Sequence, residues 1–315
     1  MTVSEQRQAL ISILNRGAVT SLFQPIVSTL EERIVGFEAL SRGPSDSPLH
    51  SPLTLFAAAR HHGILTELEM LCRDRAVSRF CNLNLPGKLF LNVSPESLLE
   101  HQHYPGRTLE ILQRNGLKPD QVVIELTEQA PIEDLSLLRS ALHHYRDMGF
   151  SIALDDLGAG YSSLRLWSEL QPEFVKIDRH FIDGIHRDPV KREFVASILH
   201  MAKASRACVI AEGIEQPEEL AVLEDIGIDW VQGYLLGRPD SHPRVDDIQA
   251  SASARVRPAW WMTHRFTACC YPYRAYRTTP KYRPSSTAFS SSQPSTPWRS
   301  SMSRVTPSAQ CNGMP

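Results

Sequence analysis

Residues 152 to 164 read Ile152-Ala153-Leu154-Asp155-Asp156-Leu157-Gly158-Ala159-Gly160-Tyr161-Ser162-Ser163-Leu164. An apolar run ends here in two adjacent carboxylates, and a glycine-spaced turn follows before a helical pattern resumes. Successive side chains of a strand point to opposite faces. We therefore expect the strand to stop between Asp155 and Asp156, so that the two carboxylates converge. Such close charges resist joint ionisation unless a cation neutralises them. The plain alternative is a polar turn, since Asp and Gly are common in turns.

Seven further runs, short and apolar or rich in β-formers, accompany this stretch, and segments of helical period separate most of them. Together the eight runs are 22–27, 35–40, 89–93, 122–126, 151–154, 174–177, 208–211 and 230–235. Residues 28–33 are too few for a helix, so we predict an antiparallel hairpin from the first two runs. Strand and helix alternate elsewhere, which favours parallel strands, and eight of them predict a (β/α)8 barrel. A doubly wound open sheet is the alternative.

Residues typical of helix ends mark the boundaries of the predicted helices. Glycine is common just past a helix, where the backbone is left-handed, and Gly17 follows the first predicted helix in this way. The predicted helices are 4–15, 65–80, 104–115, 135–148, 190–204 and one that begins at Pro217. We therefore assign residues 1–19 to an N-terminal helix that packs on the barrel, and residues 20–250 to the barrel domain.

Charge divides the chain into two parts. All 35 Asp and Glu residues lie at or before Asp247, whereas nine of the 33 Lys and Arg residues follow it, so the first part carries a net charge of −11. A body this acidic argues against a nucleic-acid partner. No apolar run approaches the roughly 18 residues of a membrane helix, and the start lacks a secretory pattern. The six cysteines show no paired metal spacing. We expect a cytoplasmic protein with reduced thiols and no membrane span.

The segment 251–315 is rich in Ser, Pro and Arg, contains no acidic residue and shows no apolar period. We expect it to be a disordered tail or the translation of an out-of-frame segment. A basic and aromatic segment that binds nucleic acid or an anionic surface is the functional alternative, and we rank it behind these two.

Seven of the eight runs carry a polar side chain inside or just after the strand. The carboxyl ends of the strands form the mouth of such a barrel, where chemistry takes place. A strand core excludes ionised groups unless they are paired or bound to metal, so their recurrence near one end predicts a site. The residues are Glu38, Asn92, Glu125, Asp155, Asp156, Lys176, Asp178, Glu212 and Gln232.

The expected chemistry follows from five carboxylates of this set, which would surround one cavity with Lys176 as the nearby base: Glu38, Glu125, Asp155, Asp156 and Glu212. Such a density is unfavourable without divalent cations. Oxygen ligands without His or Cys suit Mg²⁺ or Mn²⁺ rather than Zn²⁺. Two such ions about 4 Å apart are the usual device for cleaving a phosphodiester. Asp178 lies two residues after Lys176 and so shares its face of the strand, where it either orients the ammonium or forms a plain salt bridge.

Seven motifs follow one another in order: Glu38-Ala39-Leu40 with Arg42, Leu89-Phe90-Leu91-Asn92-Val93-Ser94-Pro95, Ile124-Glu125-Leu126-Thr127-Glu128, the stretch 155–164, Val175-Lys176-Ile177-Asp178, Ala211-Glu212-Gly213-Ile214-Glu215 and Gln232-Gly233-Tyr234. In this order they resemble the EAL family of cyclic-di-GMP phosphodiesterases, from about Thr20 to Pro239. The resemblance implies a TIM-like barrel with an inverted first strand, two Mg²⁺ or Mn²⁺ ions, and hydrolysis of cyclic di-GMP to linear pGpG. As partners we expect cyclic di-GMP and a second copy of the chain, in a homodimer formed through the barrel.

The resemblance also implies a role for each matched residue. The ligands of one metal ion match Glu38, Asn92, Glu125 and Asp155, and those of the second match Asp155 with Asp156. The groups at the attacking water match Lys176 and Glu212, with Glu212 as general base. The positions that anchor loops match Asp178 and Glu215, the latter for the loop after Asp156. The substrate contacts match Gln24, Arg42 and Gln232. Leu157 stands where Phe is common, and no ligand position is lost.

Two other functions stay open beside hydrolysis. A non-catalytic receptor would bind cyclic di-GMP and signal through a partner, but the intact ligand set favours the hydrolase. An unrelated barrel lyase with one Mg²⁺ would not explain the pair Asp155 and Asp156.

Overall fold

The computed structural model describes residues 2–99, 105–126, 134–158 and 163–245. Eight strands form a closed barrel in which each strand pairs with the next and the last pairs with the first. The strands are β1 Thr20–Ser28, β2 Arg33–Arg42, β3 Lys88–Val93, β4 Val122–Leu126, β5 Ser151–Leu157, β6 Phe174–Ile177, β7 Cys208–Ala211 and β8 Trp230–Val231. Strands β2 to β8 run parallel, whereas β1 is antiparallel to both neighbours. The predicted barrel with an inverted first strand is confirmed, and closure excludes the open sheet.

The described ranges contain the six predicted helices, each close to its predicted position, and four further helices for which no bounds were predicted. They are α1 Val3–Arg16, α2 Pro52–His61, α3 Leu65–Asn82, α4 Pro95–Leu99, α5 Pro105–Asn115, α6 Leu135–Asp147, α7 Ser163–Leu170, α8 Arg179–Ile182, α9 Pro189–Ser205 and α10 Pro217–Ile226. Gly17 ends α1 with a φ of 59°, as its signal predicts. Helix α1 lies against α2 and α3 through Leu10 and Ile13. None of the helices in these ranges combines the length and hydropathy needed to cross a membrane.

The barrel interior is layered because alternate residues of a strand share one face. A buried apolar layer crosses the interior and consists of Ile26, Val35, Phe90, Val123, Ala153, Phe174 and Ile210. The residues two positions further along strands β3 to β6, and just after β7, are Asn92, Glu125, Asp155, Lys176 and Glu212. The apolar layer therefore forms the floor beneath a polar layer at the carboxyl ends of the strands.

Removing residues 251–315 should leave the melting temperature of the protein unchanged. This predicted tail lies outside the described residues, and the described barrel closes between β1 and β8 with a core drawn from Leu10 to Val231. Thermal unfolding of the full and shortened chains, followed by circular dichroism, checks this expectation. A large drop in the melting temperature on truncation would show that the tail contributes packing to the barrel.

Candidate active site

The polar layer gathers around Lys176, whose ammonium group forms ion pairs with four carboxylates. Its Nζ lies 2.9 Å from Glu125, 3.1 Å from Asp155 and 3.3 Å from Glu38, and it also contacts Glu212. The side chain of Lys176 is only 1% exposed. Burial alone would lower the pKa of Lys176, but the four carboxylates raise that pKa well above its usual value. The ammonium group therefore stays charged.

The carboxylates respond to this environment in different ways. Burial raises the pKa values of Glu125 and Glu212 well above their usual range, and neighbouring acids keep them high despite the attraction of Lys176. Burial also acts on Glu38, but Lys176 and the amide donors of Gln232 and Asn92 outweigh it and lower the pKa of this residue. A cluster with several acids and one ammonium group thus keeps protons on some acids until further positive charge arrives.

Two side-chain amides hold Glu38 in place. Asn92 Nδ2 donates to Oε1 of Glu38 at 3.1 Å, and Gln232 Nε2 donates to Oε2 at 2.8 Å. Asn92 reaches Glu38 because β2 and β3 are neighbours in the barrel. Gln232 is predicted as a substrate contact, yet here its amide group binds Glu38. Its substrate role stays a prediction.

Asp155 and Asp156 converge, but not because the strand ends between them. Strand β5 continues to Leu157, and its pairing with β6 shifts register between Leu154 and Leu157. Asp156 has a φ of 54°, in the left-handed region that residues other than glycine rarely adopt. This irregularity brings carboxylate oxygens of Asp155, Asp156 and Glu212 within 4.8 Å of one another. The predicted strand end is wrong, whereas the predicted convergence is confirmed.

The oxygen atoms of this cluster suit hard divalent cations. Oε2 of Glu125 is buried and has no hydrogen-bond partner among the described residues. Burial, followed by the charge of Asp155, raises the pKa of Asp156 to about 6. The group formed by Asp155, Asp156 and Glu212 offers carboxylate oxygens alone, without His or Cys. Such a donor set is typical of Mg²⁺, Mn²⁺ or Ca²⁺ sites, so these residues could hold such ions.

Gln24 and Arg42 lie at the edge of the cluster. Gln24 faces Glu38 in the pairing of β1 with β2, and its Nε2 donates to the carbonyl oxygen of Gly237 at 3.2 Å. Arg42 ends β2 and donates from Nη1 to the carbonyl oxygen of Ser41 at 2.9 Å. The inverted direction of β1 places its early residues, including Gln24, at the same end of the barrel as Glu38.

Asp178 and Glu215 bind neighbouring segments rather than the centre of the cluster. Asp178 caps α8, because its Oδ1 accepts the N–H of His180 at 2.9 Å. In the described part of the chain, the ion pairs of Lys176 do not include Asp178, so the contact predicted to orient the ammonium is absent. Glu215 pairs with Arg179 at 2.8 Å. The loop that Glu215 is predicted to anchor includes residues 159–162, which lie outside the described ranges.

A cavity of about 430 Å³ opens beside the cluster. Glu38, Asp155 and Asp156 line one part of it, and Arg42 lines the cavity as well. Helix α2 contributes another wall with Pro52, Leu53, Phe56, Ala57 and Arg60. Sites for small organic ligands usually occupy about 300–1,000 Å³ and mix apolar walls with a few polar groups. The cavity therefore has the size and lining expected for such a ligand.

The sequence interpretation misses a buried ion pair in the wall of this cavity. Arg73 Nη2 lies 3.5 Å from Oε2 of Glu69, one turn away on α3, and Glu69 also accepts the N–H of Ser94 at 3.2 Å. Burial raises the pKa of Glu69, against the charge of Arg73. The pair could have been found from an acid and a base four residues apart, both at positions that share the apolar face of α3.

Comparison with known proteins gives one family and several relatives. The model of the EAL domain family matches residues 4–239. The blue light- and temperature-regulated antirepressor BluF of Escherichia coli K12 is 29% identical over 217 residues, which cover 69% of this chain and 53% of BluF. Cyclic di-GMP phosphodiesterase PdeF of the same organism is 28% identical over 218 residues, which cover 67% of this chain and 29% of PdeF. The chain thus spans about half or less of the length of these curated relatives.

Solved structures with the same fold include complexes of the cyclic dinucleotide. BlrP1 of Klebsiella pneumoniae, in a manganese/cy-diGMP complex, has a TM-score of 0.66 and 34% identity, covering 71% of this chain and 56% of BlrP1. A standalone EAL protein of Vibrio cholerae O395, in its c-di-GMP bound form, has a TM-score of 0.64 and 29% identity. This second match covers 74% of the present chain and 97% of the Vibrio protein.

Proposed function

The chain belongs to the EAL domain family, and on this premise we propose that it hydrolyses cyclic di-GMP to linear pGpG with two Mg²⁺ or Mn²⁺ ions. One observation carries the proposal: the acids that match the family's metal ligands and general base meet around Lys176 at one end of the barrel. Family membership alone would not be enough, because PdeF is named a phosphodiesterase and BluF an antirepressor.

The ligand roles that we propose are those implied by the resemblance to the family, and the way in which the cluster is built supports them. In our proposal, the residues that hold the first ion are Glu38, Asn92, Glu125 and Asp155, and Asp155 with Asp156 holds the second. When bound, such a pair of ions activates a water molecule and stabilises the leaving oxygen of a phosphodiester. The amides of Asn92 and Gln232 keep the carboxylate of Glu38 oriented before the ions arrive.

Glu212 is the group that we propose takes a proton from the attacking water. Its side chain is 18% exposed, whereas the other three carboxylates on Lys176 are 0–10% exposed, so Glu212 has the better access to the open mouth. Lys176 contacts this carboxylate and fixes its orientation. Because the ammonium keeps its charge, it also stabilises the negative charge that develops on the phosphate during attack.

We place cyclic di-GMP in the cavity beside the ligand cluster. Arg42 lines this cavity, and a guanidinium group suits the oxygen atoms of a phosphate. Gln24 and Gln232 are neighbours of Glu38, which lines the cavity, and we propose them as further substrate contacts. Leu53 and Phe56 on α2 provide an apolar surface against which a base can pack.

A receptor that binds cyclic di-GMP without cutting it is the second candidate function. The name of BluF favours keeping this alternative, since an antirepressor acts through a partner. The intact set of acids around Lys176 favours hydrolysis, because a receptor has no need of a general base. The homodimer through the barrel and the cytoplasmic location also stay predictions.

Incubation of the purified protein with cyclic di-GMP and Mg²⁺ tests the proposal. We expect chromatography to show conversion to linear pGpG, with no conversion after chelation of the metal. Cyclic di-GMP that binds tightly but is recovered intact at saturating Mg²⁺ or Mn²⁺ would assign the chain to the receptors.

Calcium should inhibit the reaction. Ca²⁺ carries the same charge as Mg²⁺ and takes the same oxygen ligands, but it prefers longer bonds and looser geometry, which misplaces the attacking water. Competition between Ca²⁺ and Mg²⁺ in the hydrolysis assay measures this effect, with Mn²⁺ as the ion expected to support turnover. Equal rates in Ca²⁺ and Mg²⁺ would count against the ligand geometry proposed here.

A further inference from the structure

Glu219 is a buried carboxylate that has no part in the proposed reaction. Its side chain lies in the first turn of α10, and the residue is 1% exposed. Three backbone N–H groups bind it: Gly184 donates to Oε1 at 2.9 Å, and Glu215 and Gln216 donate to Oε2 at 3.0 and 3.1 Å. Burial raises the pKa of Glu219, but the three donors outweigh it and lower the pKa below its usual value. The carboxylate is therefore charged at neutral pH.

The three donors belong to two different loops. Glu215 and Gln216 lie in the loop that leaves β7, three and four residues after Glu212. Gly184 lies beyond α8, in the segment that follows β6 and Lys176. The capping box of α10 needs only the N–H of its N-cap residue, Gln216, and Oε2 accepts this N–H together with that of Glu215 just before it. The hydrogen bond from Gly184 to Oε1 has no role in capping α10, because it connects this helix to a second loop.

A second contact joins the same two loops. Arg179 on α8 pairs with Glu215 at 2.8 Å, but both side chains are more than a third exposed, so this pair is weakened by solvent. Gly213 has a φ of 72°, and a Cβ at this position would overlap the side chain of Arg179. The loops therefore pack closely, and Glu219 supplies the buried part of the connection.

We propose that Glu219 is a positioning residue that locks the loop after β7 onto the segment after α8 and thereby fixes Glu212 relative to Lys176. The inference rests on the proposed function, because it concerns the two residues placed at the attacking water. A charged acceptor suits this position, since hydrogen bonds to an ionised group are stronger than neutral ones and three N–H groups must share two oxygens. Loss of the lock would let Glu212 move while leaving the metal ligands on β2 to β5 in place.

Glu219→Gln separates this role from helix capping. Its single oxygen can keep the cap at Glu215 and Gln216, while its NH2 group then faces the N–H of Gly184 and cannot accept from it. We expect a melting temperature near that of the wild type, an unchanged KM, and a kcat lowered on the order of 10- to 100-fold, as for a small misplacement of a catalytic group. Glu219→Ala should lower both kcat and the melting temperature.

Asp188→Ala is the matched control. Asp188 caps α9 by accepting the N–H groups of Val190 and Lys191 at 2.9 and 3.2 Å, and both donors belong to its own helix. This variant should lower the melting temperature without changing kcat. A kcat in Glu219→Gln equal to that of the wild type would overturn the inference, and so would an equal loss of kcat in Asp188→Ala.

Amide hydrogen exchange gives a readout that does not depend on turnover. In Glu219→Gln, exchange at Gly184 should rise while Glu215 and Gln216 stay protected, and in Glu219→Ala all three should exchange faster. Unchanged exchange at Gly184 in both variants would overturn the lock itself. If the wild-type protein fails to cleave cyclic di-GMP, the proposed function falls, and these exchange rates still decide whether Glu219 joins the two loops.

Discussion

Glu38→Ala and Asp155→Ala should each abolish hydrolysis of cyclic di-GMP. In the proposed function, either change removes a charged ligand from a site that works only with its ions bound. A loss of about 4 kcal/mol of charge stabilisation corresponds to a rate loss on the order of 10³-fold. Glu38→Ala also leaves the amide donors of Asn92 and Gln232 and the ammonium of Lys176 without their shared acceptor. We expect no neighbouring side chain to replace the carboxylate that is lost.

Steady-state turnover at saturating Mg²⁺ measures these losses, and thermal unfolding shows whether each variant is folded. Glu218→Ala is a suitable control, because it removes an exposed acid from α10 and so makes the same change in net charge away from the cluster. Near-wild-type turnover of both site variants at saturating Mg²⁺ would contradict the assignment of two ions to these ligands.

Glu212→Gln should slow the chemical step and spare binding. Glutamine keeps the shape and the hydrogen-bonding capacity of the side chain but cannot accept a proton at neutral pH. Affinity for cyclic di-GMP should survive, since Arg42 and the ligand acids are untouched. Turnover should fall on the order of 10²- to 10⁴-fold, which is the usual contribution of a general base. A loss confined to kcat would assign the role.

A titration with Mg²⁺ separates this role from its rival, in which Glu212 is chiefly a metal ligand. The rival is credible because oxygens of Glu212, Asp155 and Asp156 lie within 4.8 Å of one another. A ligand defect weakens metal binding first, so excess metal should repair it. Full recovery of Glu212→Gln at high Mg²⁺ would remove the general-base assignment, and a deficit that persists at all metal concentrations would support it.

The barrel could be predicted because its strands carry strong local signals. Short runs of apolar or β-forming residues set the strand positions, and the short connection 28–33 required β1 and β2 to be antiparallel. The polar residues that follow the strands then had to meet at one end, as Glu125 and Lys176 do. Individual roles at this site came from the resemblance to a family and not from periodicity. Those roles stay predictions until the variants are measured.

The features that sequence reasoning missed depend on contacts between distant segments or on single backbone angles. Nothing in a sequence specifies the positive φ of Asp156, so alternation alone indicated a strand end there. Asp178 shares a strand face with Lys176 in an ideal extended chain, but the chain turns into α8 first and Asp178 becomes its cap. Glu219 looks like an ordinary residue of a first helical turn, because its bond to Gly184 spans 35 positions.

In the proposed function, the backbone conformation of Asp156 has a cost in folding stability and a benefit at the metal site. A left-handed conformation at a residue other than glycine costs the folded state on the order of 1 kcal/mol. Glycine would relieve that cost but offers no carboxylate, and asparagine would tolerate the conformation but carries no charge. In the proposed function, Asp156 therefore gives up a small amount of folding stability to place a carboxylate at the metal site.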